Sequence, residues 1–125
     1  MNTKLLSPWQ AQSVKVRSVS LVAETMLPHD KVVELTLPVA GGHILEMPKV
    51  DEAVKGIYVL HVTATSGAGY YAVIPQAQNG AGQLFINKST GLFYSSIVLD
   101  AVDEWILFYS DGQYWFVINC NLTWV

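Results

Sequence analysis

Two long apolar runs near the end of the chain do not follow the apolar–polar alternation of a half-buried strand. Residues 105–109 read WILFY and residues 114–118 read YWFVI, with the letters SDGQ between them. Asp-Gly between two β-prone runs favours a hairpin with a two-residue loop, because a type I′ turn needs positive φ at both central residues. The pattern therefore predicts two paired strands, 105–109 and 114–118, around Asp111 and Gly112.

The predicted hairpin has two apolar faces. Side chains alternate between the faces of a strand, and the two-residue loop places Phe108 opposite Trp115 and Tyr109 opposite Tyr114. The first face carries Ile106, Phe108, Trp115 and Val117, and the second carries Trp105, Leu107, Tyr109, Tyr114, Phe116 and Ile118. Exposed apolar patches of this size usually mark an interface.

One face is expected to pack in the domain core and the other against a copy of the chain, most simply around a rotation axis. The sequence does not decide which face is which. The candidate interface residues therefore come from both faces and are Trp105, Leu107, Phe108, Tyr109, Tyr114, Trp115 and Phe116. The alternative is a central hairpin that the chain's own strands cover on both sides.

The rest of the hydrophobic pattern predicts an all-β domain. β-Branched and aromatic residues cluster in short runs between Gly, Pro, Asn and Asp, and no window of useful length has a helical period. Further strands are predicted at residues 13–23, 31–37, 43–47, 56–65, 70–74, 83–86 and 92–99. Their number and spacing indicate an antiparallel sandwich or barrel-like domain.

The first 28 residues are predicted to form an N-terminal arm and first strand, and residues 29–125 the β domain. Val14 and Val16 lie on one face of the predicted strand and Val19 and Leu21 on the other, which indicates a bulge or a bend. The arm is expected to contact a partner or a neighbouring subunit. Its candidate contact residues are Leu5, Leu6 and Trp9. The alternative is an ordinary first strand after a floppy terminus.

Composition supports burial of surface between chains. The 125 residues fit one domain, and only 14% of them are charged, against about 25% in average globular proteins.

The net charge of −3 gives no electrostatic footprint for nucleic acid. No apolar stretch approaches the roughly 20 residues of a membrane-spanning helix, and no signal peptide is evident, so synthesis in a cytoplasm is expected. The single cysteine, Cys120, excludes an intrachain disulfide and fits a reducing compartment.

Motifs for catalysis or metal binding are not evident. The three histidines are not spaced as metal ligands, and no second cysteine could complete a zinc site. No Gly-x-Ser-x-Gly elbow surrounds a serine, and the glycine-rich stretches look like turns. We therefore expect no enzymatic activity and no cofactor. Tyr70 and Tyr71 could form a sugar-stacking platform, with strand packing as the alternative.

The second half of the chain resembles a loose β pattern found in many virion proteins of tailed phages. In that pattern a strand ends on Leu-Pro, a glycine precedes a strand of the YVLHV kind, and a final hairpin places tryptophan shortly after Asp-Gly. Here the matching stretches are LTLP at 35–38, KGIYVLHVTATSG at 55–67 and LDAVDEWILFYSDGQYWFVIN at 99–119. The resemblance covers residues 30–119 approximately.

This resemblance implies a homotrimeric, non-enzymatic structural protein of the virion. The chain is short, without a fibrous shaft or an extra receptor-binding domain, which favours a capsid decoration (cement) protein on the capsid surface. Its expected partners are further copies of itself and the major capsid protein, with no nucleic acid and no membrane. The alternative is a carbohydrate- or receptor-binding module of a tail fibre or baseplate. A β-domain of cellular origin, including a small enzyme, is a third reading.

Overall fold

Eleven strands form two sheets in residues 16–53, 55–77 and 83–122, which are the residues that the computed structural model describes. The large sheet has seven strands, in the order β1 (Val16–Val19), β3 (Val32–Leu37), β5 (Ile57–Thr65), β10 (Trp105–Ser110), β11 (Trp115–Cys120), β7 (Phe85–Asn87) and β8 (Phe93–Tyr94). The small sheet has four strands, in the order β2 (Ala23–Thr25), β4 (Gly42–Glu46), β6 (Tyr70–Ile74) and β9 (Ile97–Leu99). No helix forms among these residues, so the all-β prediction is confirmed.

Strand direction differs from the prediction. From β1 to β6 the chain alternates between the sheets, so β1, β3 and β5 run parallel in the large sheet and β2, β4 and β6 run parallel in the small one. Strands β5, β10 and β11 pair antiparallel in succession, whereas β7 runs parallel to β11. Both sheets are therefore mixed, and the predicted antiparallel sandwich is wrong in this respect. The physical reason is that several predicted turns carry the chain across the core instead of back along the same sheet.

The crossing turns stack on one another, and glycine makes this possible. Residues 38–41 link β3 to β4, and residues 66–69 link β5 to β6 directly alongside. The amide of Ala68 donates to the Val39 carbonyl at 2.8 Å. A Cβ on Gly67 would lie 2.3 Å from the Val39 carbonyl oxygen, so no larger residue fits without a shift of the backbone.

Two predicted strands are each divided between the sheets. Predicted strand 13–23 becomes β1 and β2, and the chain crosses the sandwich at residues 20–22, where the hydrophobic phase changes. This confirms the predicted bend. Predicted strand 92–99 likewise divides into β8 and β9. Val19 and Met26, from the region of the predicted arm, lie in the same core as the later strands, and residues 1–15 lie outside the described residues.

An aromatic cluster occupies the centre of the core. Trp115 packs edge-to-face on Tyr58, with ring centroids 5.3 Å apart, and on Phe108 at 6.1 Å. Phe85 and Phe108 lie 5.1 Å apart. All four side chains are fully buried, and the indole N–H of Trp115 donates to the Pro48 carbonyl at 3.2 Å. The cluster thus joins four strands of the large sheet, β5, β7, β10 and β11, to the β4–β5 connection.

One open edge of the sandwich is closed by charged side chains. Arg17 pairs in register with Val33, and Glu24 with Leu45, so both charged residues occupy core-facing positions at the sheet edges. The guanidinium of Arg17 forms an ion pair with Glu24 and donates to buried Asp30 at 2.6 Å. These contacts join β1 of the large sheet to β2 of the small sheet.

The C-terminal hairpin has a longer loop than predicted. Ser110 pairs with Trp115, and Phe108 pairs with Val117, so the loop comprises residues 111–114. Asp111 does not adopt positive φ; its Oδ1 instead accepts the amides of Gln113 and Tyr114 at 2.8 and 2.7 Å. The predicted register is therefore wrong. Relative to it the pairing shifts by two residues, and because side chains alternate with period two, the predicted division into two faces holds.

Truncation of the central indole should strongly destabilise the fold. We expect Trp115→Ala to lower the free energy of unfolding by about 3–5 kcal/mol, the usual range for a buried large aromatic. Urea denaturation of the purified protein measures this change. The control is Tyr70→Ala, since Tyr70 is a partly exposed aromatic for which we expect about 1 kcal/mol or less. Equal midpoints for Trp115→Ala and the unmodified chain would contradict the role of the cluster.

Tyr58 makes the stability of the fold sensitive to alkaline pH. Its hydroxyl donates to the Pro28 carbonyl at 2.5 Å and accepts from Lys31 Nζ at 3.1 Å. Burial, with a smaller contribution from the negative charge of Asp30, raises the pKa of Tyr58 from 10.0 to about 12. The folded state therefore holds the proton more tightly than the unfolded chain does. This stabilisation is complete below pH 10 and is lost as the pH rises towards 12.

We expect Tyr58→Phe to flatten the fall of stability between pH 10 and 12. Summed over this pH interval, the two proteins should differ in their loss of free energy of unfolding by an amount on the order of 2 kcal/mol. Denaturant midpoints of both proteins at a series of pH values measure it. Burial also raises the pKa of Tyr71, so part of the slope should remain in the variant. Identical slopes in the two proteins would show that Tyr58 is not responsible.

Candidate functional site

The outer face of the large sheet carries a row of apolar residues across five adjacent strands. In register, Tyr109 pairs with Ile57 and Phe116, and Ile86 pairs with Phe116 and Phe93. We call these five residues the apolar row. Ile57 is 58% exposed and Phe93 63%, while the three between them are half-buried. Large apolar side chains at the two ends of the row therefore meet solvent in the isolated chain.

A second set of apolar residues extends this surface towards β3. Val32, Val59 and Leu107 pair across β3, β5 and β10, and all three are half-buried. Beside the row, Tyr114 packs on Phe116 with ring centroids 6.4 Å apart. The surface is thus continuous over most of the large sheet.

Polar groups limit the face at one end. Glu34, His61 and Trp105 pair across β3, β5 and β10, one step beyond the second apolar set. Nε2 of His61 lies 3.7 Å from Oδ1 of Asp103, which is largely exposed. Elsewhere on the face, Lys88 Nζ lies 5.2 Å from the centroid of the Phe116 ring. Charged side chains therefore lie at one end of the face and, through Lys88, beside the middle of the apolar row, whereas the paired positions of the row itself are all apolar.

The face is large enough for a stable protein interface. The seven strands of the large sheet have two to nine residues each and 36 in all. At about 3.3 Å per residue and about 4.8 Å between strands, they span roughly 570 Å². A standard interface buries about 800 Å² of accessible surface on each partner, which includes the relief of the side chains. The dimensions therefore fit contact with a protein better than contact with a small ligand.

The structure divides the predicted interface residues into two groups. Trp105, Leu107, Tyr109, Tyr114 and Phe116 lie on the outer side of the large sheet or at its rim. Phe108 and Trp115 are fully buried in the chain's own core and are corrected to core residues. The physical reason is strand alternation, which directs only one side of the hairpin inward. The predicted arm residues Leu5, Leu6 and Trp9 lie outside the described residues.

Sequence reasoning missed the contribution of other strands to this surface. Ile57, Ile86 and Phe93 join it only because sheet register aligns them with the hairpin. The sequence did contain a signal in residues 57–60, because IYVL is an unbroken apolar run like those of the two hairpin strands. The order of the strands in the sheet, which local patterns do not specify, was needed to connect the two signals.

The two adjacent tyrosines do not form a sugar-stacking platform. Tyr71 is fully buried, and its hydroxyl donates to the Leu21 carbonyl at 3.1 Å. Tyr70 faces outward on the small sheet and covers Gly42, where an added Cβ would lie 2.6 Å from Cζ of the ring. The two rings therefore lie on opposite sides of β6.

The described residues bring together few groups suited to catalysis. They contain no group of three or more His, Cys, Asp or Glu side chains that could hold a metal ion. Asp51 and Glu52 are exposed on a turn, and the Glu104 carboxylate accepts the backbone amides of Asp100 and Ala101 at 2.8 and 3.0 Å. Within the same part of the chain, no helix is long and apolar enough to cross a membrane.

Comparison with known proteins gives no relative. No family model, no curated protein and no solved structure matches the chain significantly.

Proposed function

We propose that this chain is a non-enzymatic structural protein of a phage virion. In this proposal it assembles as a homotrimer through the outer face of the large sheet and acts as a capsid decoration (cement) protein that binds the major capsid protein. The observation that carries the self-association is the apolar row, with its exposed ends at Ile57 and Phe93. The virion setting and the number of three subunits depend on the sequence resemblance.

A second copy of the chain is a suitable occupant for this face. A surface whose paired positions are apolar is best matched by another apolar surface, and a copy supplies one of identical width. Burial of a large apolar side chain contributes about 1.5–3 kcal/mol when it is fully exposed beforehand, and less for the half-buried members of the row. Several such side chains together exceed the contribution of any single polar contact at the margins. Rotational symmetry lets every subunit bury the same face.

The small sheet offers a different surface for the capsid. Its outer side carries Ala23, Ile44, Ala72 and Val98 in register across all four strands. This row lies on the opposite side of the sandwich from the apolar row, so a ring closed through the large sheets leaves it free. A rigid oligomer that presents several copies of such a row can bind adjacent capsid subunits at once, and these contacts reinforce one another through avidity.

Light scattering of the purified protein tests the self-association. We expect a mass of three chains, about 41 kDa from 13.8 kDa each, that persists at micromolar concentration. A mass of 13.8 kDa at that concentration would refute assembly through the outer face.

A matched pair of isoleucine variants locates the interface. Ile57→Lys places a charge within the proposed interface, whereas Ile44→Lys places it on the outer side of the small sheet. Both isoleucines lie on strands and are already exposed, by 58% and 46%, so neither change should unfold the chain. We expect Ile57→Lys to produce monomers and Ile44→Lys to remain a trimer in light scattering. The reverse result would assign the interface to the small sheet.

Binding to capsids tests the cement role. Particles that lack this protein, prepared from the virus that encodes it, should regain heat resistance when the purified protein is added. Because Ile44→Lys keeps the trimer but alters the small sheet, we expect it to bind these particles at least about tenfold more weakly. No binding by the unmodified trimer, together with saturable glycan binding, would instead favour a tail-appendage module.

A further inference from the structure

The apolar row ends in an open cleft next to the last two strands of the large sheet. The cleft is lined by Gln83, Leu84, Ile86, Phe93 and Tyr114 and has a volume of about 130 Å³. Leu84 and Tyr114 are 42% and 43% exposed, so their side chains form walls that are only partly covered by the chain itself. The cleft is continuous with the outer face, because Ile86 and Phe93 belong to both.

We propose that this cleft binds the side chain of Trp9 from a neighbouring copy of the chain. The proposal rests on the self-association proposed above and adds an exchanged contact to it. Each subunit would then contribute its outer face to one contact and its N-terminal segment to another.

The lining suits an indole. Leu84, Phe93 and Tyr114 supply apolar and aromatic walls, and an indole beside aromatic rings gains both burial and favourable ring contacts. Among the described residues of the lining, Gln83 carries the side-chain amide, and its carbonyl can accept the indole N–H. Among residues 1–15, Trp9 is the only aromatic residue.

The length of the chain before β1 favours a neighbour over the same subunit. Strand β1 begins at Val16, at the edge of the large sheet opposite β8, and the cleft lies five to six strands away. That separation is about 24–29 Å. The seven residues from Trp9 to Val16 span at most about 25 Å when fully extended.

A segment stretched to its own cleft would therefore have to run straight across the whole outer face. It would occupy the surface that the second copy is proposed to cover. Once the outer faces pack together, only the Trp9 of another subunit can enter the cleft without displacing them.

Cysteine cross-linking tests the exchange in the full chain. With Cys120→Ser removing the native thiol, Gln10→Cys is placed in one preparation and Leu84→Cys in a second, differently tagged one. The two are unfolded, mixed, refolded and treated with a short bismaleimide. We expect a covalent species that carries both tags, in excess of any product from either preparation alone. Adding Trp9→Ala should lower its yield about tenfold or more, and Trp9→Phe should restore most of it.

Val98→Cys in place of Leu84→Cys is the matched control, since Val98 is exposed on the small sheet, and we expect no doubly tagged product from it. A chain that carries both Gln10→Cys and Leu84→Cys reports on contact within one subunit, and a cross-linked monomer would overturn the proposal. An unchanged yield with Trp9→Ala would overturn it too. No cross-link in a preparation that still scatters as a trimer would overturn the exchange alone, whereas a monomer in light scattering would overturn the proposed function as well.

Discussion

The inward packing of Trp115 determines what the rest of the large sheet presents to solvent. Its indole is fully buried, donates to the Pro48 carbonyl at 3.2 Å and packs on Tyr58. Because side chains alternate along a strand, fixing Trp115 inward directs Phe116 outward. Tyr109 on β10 and Ile86 on β7 both pair with Phe116, so their side chains point outward as well. The apolar outer face is therefore a geometric consequence of the core, and a change that reversed the orientation of β11 would exchange one for the other.

A buried serine fixes the end of the same hairpin. Ser110 Oγ donates to the Val50 carbonyl at 2.6 Å and accepts the Gly112 amide at 3.1 Å. Its backbone amide donates to the Gly56 carbonyl, and its own carbonyl accepts the Lys55 amide. A polar residue at the end of five apolar ones suggests the start of a turn, but here it is a satisfied core position that extends β10 by one residue. The local sequence could not distinguish these cases, because its partners come from a loop some 60 residues earlier.

Local patterns were sufficient for the strands and for the two faces of the hairpin, but not for the direction in which strands pair. The stretches PVAGG and SGAG contain residues that serve equally well in a hairpin turn and in a crossing between sheets. The feature that distinguishes a crossing from a hairpin turn here is the close approach of the two connections, in which Gly67 lies against Val39. The residues of the apolar outer face were predictable only in part for the same reason. Tyr109 and Phe116 belong to the hairpin, whereas Ile57 and Phe93 reach the surface through pairings that depend on the order of all the strands.

The positions of the few charged residues show how the chain uses its low charge. Only 14% of the residues are charged, and part of that charge is used inside the structure, where Arg17, Glu24 and Asp30 close an edge of the sandwich. Strand addition has to be prevented at that edge, because β1 and β2 are edge strands of the two sheets and a strand from another chain could pair with them. Charged side chains at edge positions oppose such addition, whereas the flat outer faces carry apolar rows. This arrangement opposes open-ended strand addition at that edge and leaves the apolar outer faces as the surfaces for the proposed contact between copies.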